Sequence, residues 1–301
     1  MYPVAASRNR NWARAASFTG AYDATPSIVA AFSSRRTLSS YLGKPWRIRR
    51  DSDNDEMWSR FLGNGPHLDT AHTADFLNGA NGYILRVADQ TGTWIDDDNG
   101  TDGYDAVQTA EAARQPLYVA SGQNGRPVLR FDGVDDGLDA NLGAFNAPFS
   151  FFSACYFANV SQPNDDYDYI YSLGLGDVED SHSGIARYRG GHVKADKYYL
   201  WEGANALYGP VIAGQVWRLF SQIIDTETAY HSLWENGTEK TVDDNNAAIT
   251  TNGDFALGYY RPISMHHFSG DIAEILICNA ALSTGDRQAA ETAMNDYWSI
   301  Y

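Results

Sequence analysis

One run constrains this 301-residue chain more than any other. Phe268-Ser-Gly-Asp-Ile-Ala-Glu-Ile-Leu-Ile-Cys-Asn-Ala-Ala-Leu282 concentrates aliphatic and β-branched residues between Asp271 and Cys278, which predicts a strand buried on at least one face. Asn279 and Ser283 bracket a short turn after it. Ser283 is a ready N-cap, Asp286 stands as a shorter substitute for the Glu of a capping box, and Ala289, Ala290, Ala293, Met294 and Trp298 recur at helical spacing. The pattern predicts a closing strand with a small C-terminal helix packed beside it.

With 44% hydrophobic residues the chain can bury a sizeable core, and its length fits one large β-sandwich or two domains. Nineteen tyrosines and 27 glycines favour strands and turns over a helical bundle. No run approaches the roughly 18 apolar residues of a membrane span. Met1 to Arg10 carries no apolar signal-peptide core, so synthesis in the cytoplasm is expected. Cys155 and Cys278 both fall in predicted strands among apolar neighbours. Two buried free thiols are expected, with a disulfide between them left open.

Charge is unevenly placed. Residues 1–60 hold ten of the 22 basic residues and five of the 38 acidic ones, so the remainder carries 12 basic against 33 acidic groups. That acidic body repels phosphates and argues against nucleic-acid binding. The first 22 residues hold Arg8, Arg10 and Arg14 with no acid. Together with Trp12 they read as an extended basic arm over 1–26, either a plain tail or a device that docks on an acidic surface of another copy or another protein.

After the arm, Ser27 to Ser34 reads as a strand, Trp46-Arg-Ile-Arg-Arg50 alternates like a half-exposed strand, and Thr70 to Leu77 reads as a helix capped by Asp69. Gly82 to Ala88 is a further strand, closed by Asp89-Gln-Thr-Gly92. Arg47, Arg49 and Arg50 beside Asp51, Asp53 and Asp55 have two readings. They form an internal ion-pair lattice around the turn, or a carbohydrate or anion site in which guanidinium forks grip hydroxyls and carboxylates.

Two phrases carry a resemblance. The closing strand and helix, and Gly125-Arg-Pro-Val-Leu-Arg-Phe-Asp-Gly-Val-Asp-Asp-Gly-Leu138, resemble parts of concanavalin A-like (laminin G-like) jelly-roll domains. Ala31 to Gly43, Arg47 to Asn54, Leu68 to Thr70, Gly82-Tyr83 and Ala88 to Gly92 resemble the front half of the sandwich module of arabinofuranosidase B, a module also found in bacteriophage structural proteins. The resemblance implies an all-β fold: a concanavalin A-like jelly-roll β-sandwich over 27–301, with its laminin G-like core at about 125–301, a short C-terminal helix and the N-terminal arm.

The same resemblance speaks to catalysis. The positions matching the family's nucleophile and acid/base phrases are Ser183 to Arg189 and Leu257 to Ile263, and neither stretch contains a carboxylate. A glycosidase needs two carboxyl groups across the scissile bond, about 5 Å apart for retention. Activity by that mechanism would require replacements such as Glu179, Asp180, Glu202, Asp254 or Asp271. The expectation is therefore a non-enzymatic virion surface protein, of the decoration, fibre or tail-associated kind, homo-oligomeric and attached to other virion proteins by its arm. The alternatives are a glycoside hydrolase with relocated carboxylates and a free-standing lectin.

The aromatic clusters of the back half read mostly as sandwich core, since half the rings of a strand face inward; for glycan binding, as of a host surface, Trp201, Tyr259 and Tyr260 are kept as candidate contacts, because sugar C–H faces stack on such rings. No cofactor is expected. Asp96 to Gly103 has the alternating oxygen donors and Gly turn of a Ca²⁺ loop but lacks its full spacing and a closing bidentate Glu, Asn164 to Asp168 is a second candidate, and the favoured reading of both is a solvated acidic turn.

Overall fold

The computed structural model describes residues 18–95, 100–101, 103–144, 147–158, 167–174, 182–188, 197–202, 205–211, 215–225, 230–243, 253–261 and 264–301. The strands of the first half are β1 (Ile28–Ser33), β2 (Trp46–Arg50), β3 (Glu56–Trp58), β4 (Gly82–Val87), β5 (Trp94–Ile95), β6 (Gly100–Thr101), β7 (Ala106–Val107), β8 (Leu117–Val119), β9 (Val128–Asp132) and β10 (Leu138–Asn141). The second half supplies β11 (Phe149–Phe157), β12 (Tyr167–Gly174), β13 (His182–Tyr188), β14 (Lys197–Glu202), β15 (Asn205–Val211), β16 (Trp217–Asp225), β17 (Tyr230–Glu235), β18 (Thr238–Asp243), β19 (Asp254–Leu257) and β20 (Ser269–Cys278). Helix α1 (Thr70–Leu77) follows β3, and α2 (Thr284–Trp298) ends the fold.

Apart from the β5–β6 ribbon, the strands form one antiparallel hydrogen-bonded system that turns over at β7, which pairs with β4 and with β10. The front layer runs β3, β2, β4, β8, β9, β20, β11, β16, β17, β18, with β1 replacing β9 beside the second half of β20. The back layer runs β7, β10, β19, β12, β13, β14, β15. The two layers enclose the main core, where Phe32, Ile48, Phe131 and Ile275 meet Leu138, Ile170, Phe255 and Leu257. Phe32 stacks on Phe255 across it, with ring centroids 6.0 Å apart. The fold is an all-β sandwich.

The closing run is the central strand, and all ten residues of β20 are buried. A bulge at Ala273 resets its alternation, because Cys155 pairs with Ile272 while Ala154 pairs with Glu274. Ile272, Ile275 and Ile277 face the inner core, while Ala273, Leu276 and Cys278 face a second apolar cluster on the outer side. There α2 lays down Ala290, Met294 and Trp298. Ser283 caps the helix by accepting from the Asp286 amide, and Asp69 caps α1 by accepting from the His72 amide.

Tyr22 belongs to that outer cluster and is fully buried. The compact body therefore begins before the boundary at residue 27 that composition suggests, because residues 20–26 carry a ring that seals the sheet face. Arg8, Arg10, Trp12 and Arg14 lie outside the described residues. The two cysteines are free and buried, with Cys155 in the inner cluster and Cys278 in the outer one. Burial pushes both thiols up to about 12.

Candidate functional site

The outer face of the front layer is only half covered by α2. Over the other half lies a cleft of about 880 Å³. Its floor is a single cross-strand row fixed by register: Arg49 opposite Tyr83, Tyr83 opposite Leu117, Leu117 opposite Arg130, Arg130 opposite Asp271, and Asp271 opposite Tyr156. All six line the cleft. Because side chains alternate along a strand, one residue from each of β2, β4, β8, β9, β20 and β11 is presented on this face at the same level.

Arg130 is the polar centre of the row. Its Nε donates to Asp271 Oδ1 at 2.7 Å and its Nη2 to Asp271 Oδ2 at 2.9 Å, a two-bond fork. The guanidinium is half-exposed while the carboxylate is buried. This hydrogen-bonded partner raises the Arg130 pKa further. Arg49, at the other end, is buried and spends its donors on protein: Nε to Gln115 Oε1 at 2.8 Å, Nη1 to Asn54 Oδ1 at 2.8 Å and Nη2 to the Ala112 carbonyl at 3.5 Å. Its guanidinium lies 5.1 Å from the Tyr83 ring centroid. The ion-pair lattice around this turn is also present, in Arg50 with Asp53 and Asp55 and Arg47 with Glu56. Arg49 thus joins the lattice to the cleft.

The β9–β10 turn supplies the acidic wall. Asp132 Oδ1 accepts from the Val134 amide at 2.7 Å, and Asp136 Oδ2 accepts from the Asp132 amide at 2.9 Å. Burial first, and the neighbouring Asp132 charge second, push the Asp136 carboxyl up to about 7. Asp132, Asp135 and Asp136 each offer an oxygen within 4.8 Å of the others, hard donors of the kind Ca²⁺ takes. Of the two predicted Ca²⁺ loops, residues 96–99, 102 and 164–166 lie outside the described residues. Asp168 instead closes a buried ion pair, accepting from Arg187 Nε at 3.0 Å and Nη2 at 2.5 Å.

Of the predicted sugar contacts, Tyr259 and Tyr260 do not line this cleft. Tyr259 is 3% exposed, its hydroxyl donates to Asp139 at 2.5 Å, and its ring stacks on His267 with centroids 5.4 Å apart. It supports the acidic turn from behind: a Cβ on Gly137 would lie 2.4 Å from that ring. Tyr260 is buried against Tyr169. Trp201 lies in β14 of the back layer, opposite Gly184 and Ala206. Of the candidate replacement carboxylates, Asp271 is in the cleft, Asp254 pairs with Arg261 at 2.7 Å, Glu202 ends β14, and residues 179–180 lie outside the described residues.

Sequence reasoning marked Arg49 and Asp271 separately and passed over Tyr83, Leu117, Arg130, Asp136 and Tyr156. The missed signal was in Leu129-Arg-Phe-Asp132, where period-two alternation puts Arg130 and Asp132 on one face.

No protein-family model matches the chain, and no curated protein matches it in sequence. Solved structures do match in fold. A crystal structure of arabinofuranosidase complexed with arabinofuranosyl-α-1,2-xylobiose superposes with a TM-score of 0.69 at 14% identity, over 91% of this chain and 64% of that one. A GH54 α-L-arabinofuranosidase soaked with a cyclic sulfate inhibitor gives 0.66 at 14% identity with the same coverage. The chain thus spans less than two thirds of the length of these proteins, and the likeness is one of fold.

Proposed function

We propose that this chain is a carbohydrate-binding sandwich that holds its ligand in the cleft over Arg49, Tyr83, Leu117, Arg130, Asp271 and Tyr156 without cleaving it. The observation that carries the reading is the in-register row: two tyrosines flank a fork-held arginine on a sheet face that the described residues leave open. Aromatic rings and paired charged groups suit a polyol, whose C–H faces stack and whose hydroxyls both donate and accept. The fold-level likeness to an arabinofuranosidase complexed with a substituted xylobiose makes arabinoxylan fragments the first ligands to try.

Calorimetric titration of wild type and of a Tyr156→Ala/Arg130→Ala variant against such fragments tests it. Binding that the double variant loses supports the cleft, and equal binding by both refutes it.

On this reading the sandwich serves as a virion surface component, of decoration, fibre or tail-associated type, held to neighbouring proteins or copies by residues 1–17. The basic Arg8, Arg10 and Arg14 on an otherwise acidic chain support that attachment. Removing residues 1–17 should abolish co-sedimentation with particles and leave sugar binding intact.

A second reading is hydrolysis. Asp136, a carboxyl that keeps its proton up to about pH 7, shares the cleft with the Arg130-bound carboxylate of Asp271, and acid catalysis needs a carboxyl with a raised pKa of this kind. Release of 4-nitrophenol from an aryl arabinofuranoside, lost in both Asp136→Asn and Asp271→Asn, would establish it in place of simple binding.

A further inference from the structure

Resting on the glycan-binding reading, the geometry also specifies the kind of glycan. We infer that the cleft takes a linear, uncharged oligosaccharide laid across the strands, with Tyr83 and Tyr156 as separate platforms near its two ends, and that it rejects polyuronates and single terminal sugars.

The first argument is length. Tyr83 and Tyr156 belong to one row but are separated by four strand steps, from β4 through β8, β9 and β20 to β11. At about 4.8 Å per step the two ring-bearing positions lie roughly 19 Å apart, several sugar rings in line. Between them the floor offers Leu117, Arg130 and Asp271, an apolar contact followed by a donor and acceptor pair. One monosaccharide cannot touch both tyrosines, whereas a chain perpendicular to the strands touches every member of the row.

The second argument is charge. Two arginines line the cleft against the carboxylates of Asp51, Asp132 and Asp271, with Asp136, which burial holds protonated toward neutrality, as a fourth carboxyl group. Each nitrogen of the buried Arg49 guanidinium already donates to protein, to Gln115, Asn54 or Ala112, and two of the Arg130 nitrogens donate to Asp271. What faces a ligand is therefore mainly acceptor: Asp51 and Asp132 are exposed at the cleft. Hydroxyl groups donate well to such oxygens, and carboxylates on the ligand are repelled by them.

Linear xylo-, cello- and chito-oligosaccharides and oligogalacturonates, from monosaccharide to hexasaccharide, titrated into the full chain by calorimetry test this. Affinity for at least one neutral ladder is expected to rise about tenfold or more from the disaccharide to the hexasaccharide, consistent with one added ring contact. Tyr83→Ala and Tyr156→Ala should each remove most of that gain, and the corresponding Phe variants should keep it. The galacturonates should bind at least tenfold more weakly than the neutral ladder at low salt. A disaccharide that binds as tightly as the hexasaccharide, or galacturonates that bind best, would overturn the inference while leaving glycan binding intact. Failure of every ladder would remove both.

Discussion

Arg130 and Asp271 stand opposite each other on adjacent strands, 141 residues apart in the chain, and close a two-bond fork on the open face of the sheet. The pair orients the guanidinium in the cleft, and it compensates a carboxylate that the strand would otherwise bury alone. Arg130→Ala should therefore cost stability as well as ligand affinity. Because the arginine is half-exposed, the loss should be about 1–2 kcal/mol, below the 3–5 of a fully buried pair. Arg130→Lys should recover only part of either, since an ammonium cannot reproduce the fork. Urea unfolding of the two variants measures it.

Glu274, beyond the bulge in the same strand, sits under the helix at 1% exposure. It accepts from Arg35 Nε at 2.7 Å and Nη2 at 2.6 Å, from Ser33 Oγ at 2.9 Å, from Trp298 Nε1 at 2.8 Å, and from the Tyr22 hydroxyl. One carboxylate thus ties the segment before β1 to the C-terminal helix. Glu274→Gln leaves the Arg35 charge buried and uncompensated, and should cost about 3–5 kcal/mol. Denaturant titration followed by Trp298 fluorescence reads both the loss and any early release of the helix. The Glu274→Leu/Arg35→Met double variant should be less damaging than either single change.

Stability should fall as pH rises through neutrality. The Asp136 carboxyl titrates near 7 in the fold but near the ordinary carboxyl value of about 4 when unfolded, so the folded state holds the extra proton between those values. Its contribution is complete below pH 4 and is lost as pH climbs through about 7, at no more than about 1.4 kcal/mol per pH unit. A drop of about 2 kcal/mol between about pH 5 and 7.5 is expected. Asp136→Asn should flatten it, a comparison that thermal unfolding across this range supplies.

Gly137→Ala should be among the more disruptive single-methyl changes. The added carbon would lie 2.4 Å from the Tyr259 ring, which Asp139 and His267 hold in place. Overpacking of this kind costs about 1–3 kcal/mol, and here it would also displace the turn bearing Asp132 and Asp136. The check is a lowered melting temperature together with weaker ligand binding.

Much of the frame was readable from local pattern. The Thr70–Leu77 helix with its Asp69 cap, the Trp46–Arg50 strand, the closing strand and the Ser283-capped helix all appear where spacing predicts them. Local signals of this kind act within a few residues. The cleft is different, because it exists only through register: Arg49, Tyr83, Leu117, Arg130, Asp271 and Tyr156 come from six strands scattered over more than two hundred residues. A one-residue slip would turn each to the core. Aromatic clustering pointed instead to Tyr259 and Tyr260, whose rings are buried beneath the turn and against Tyr169. The basic composition before Gly20 likewise gave no hint that Tyr22 closes the outer sheet face.

The central claim is that the open half of the front sheet is the ligand surface. Amide hydrogen exchange with and without a saturating neutral oligosaccharide tests it most directly. Slowed exchange confined to the end of β2, β4, β8, β9, the first half of β20 and the end of β11, with the 132–136 turn, is the predicted footprint. Protection centred on β14 and β15 around Trp201, or protection that persists unchanged in the Tyr156→Ala/Arg130→Ala variant, would contradict it.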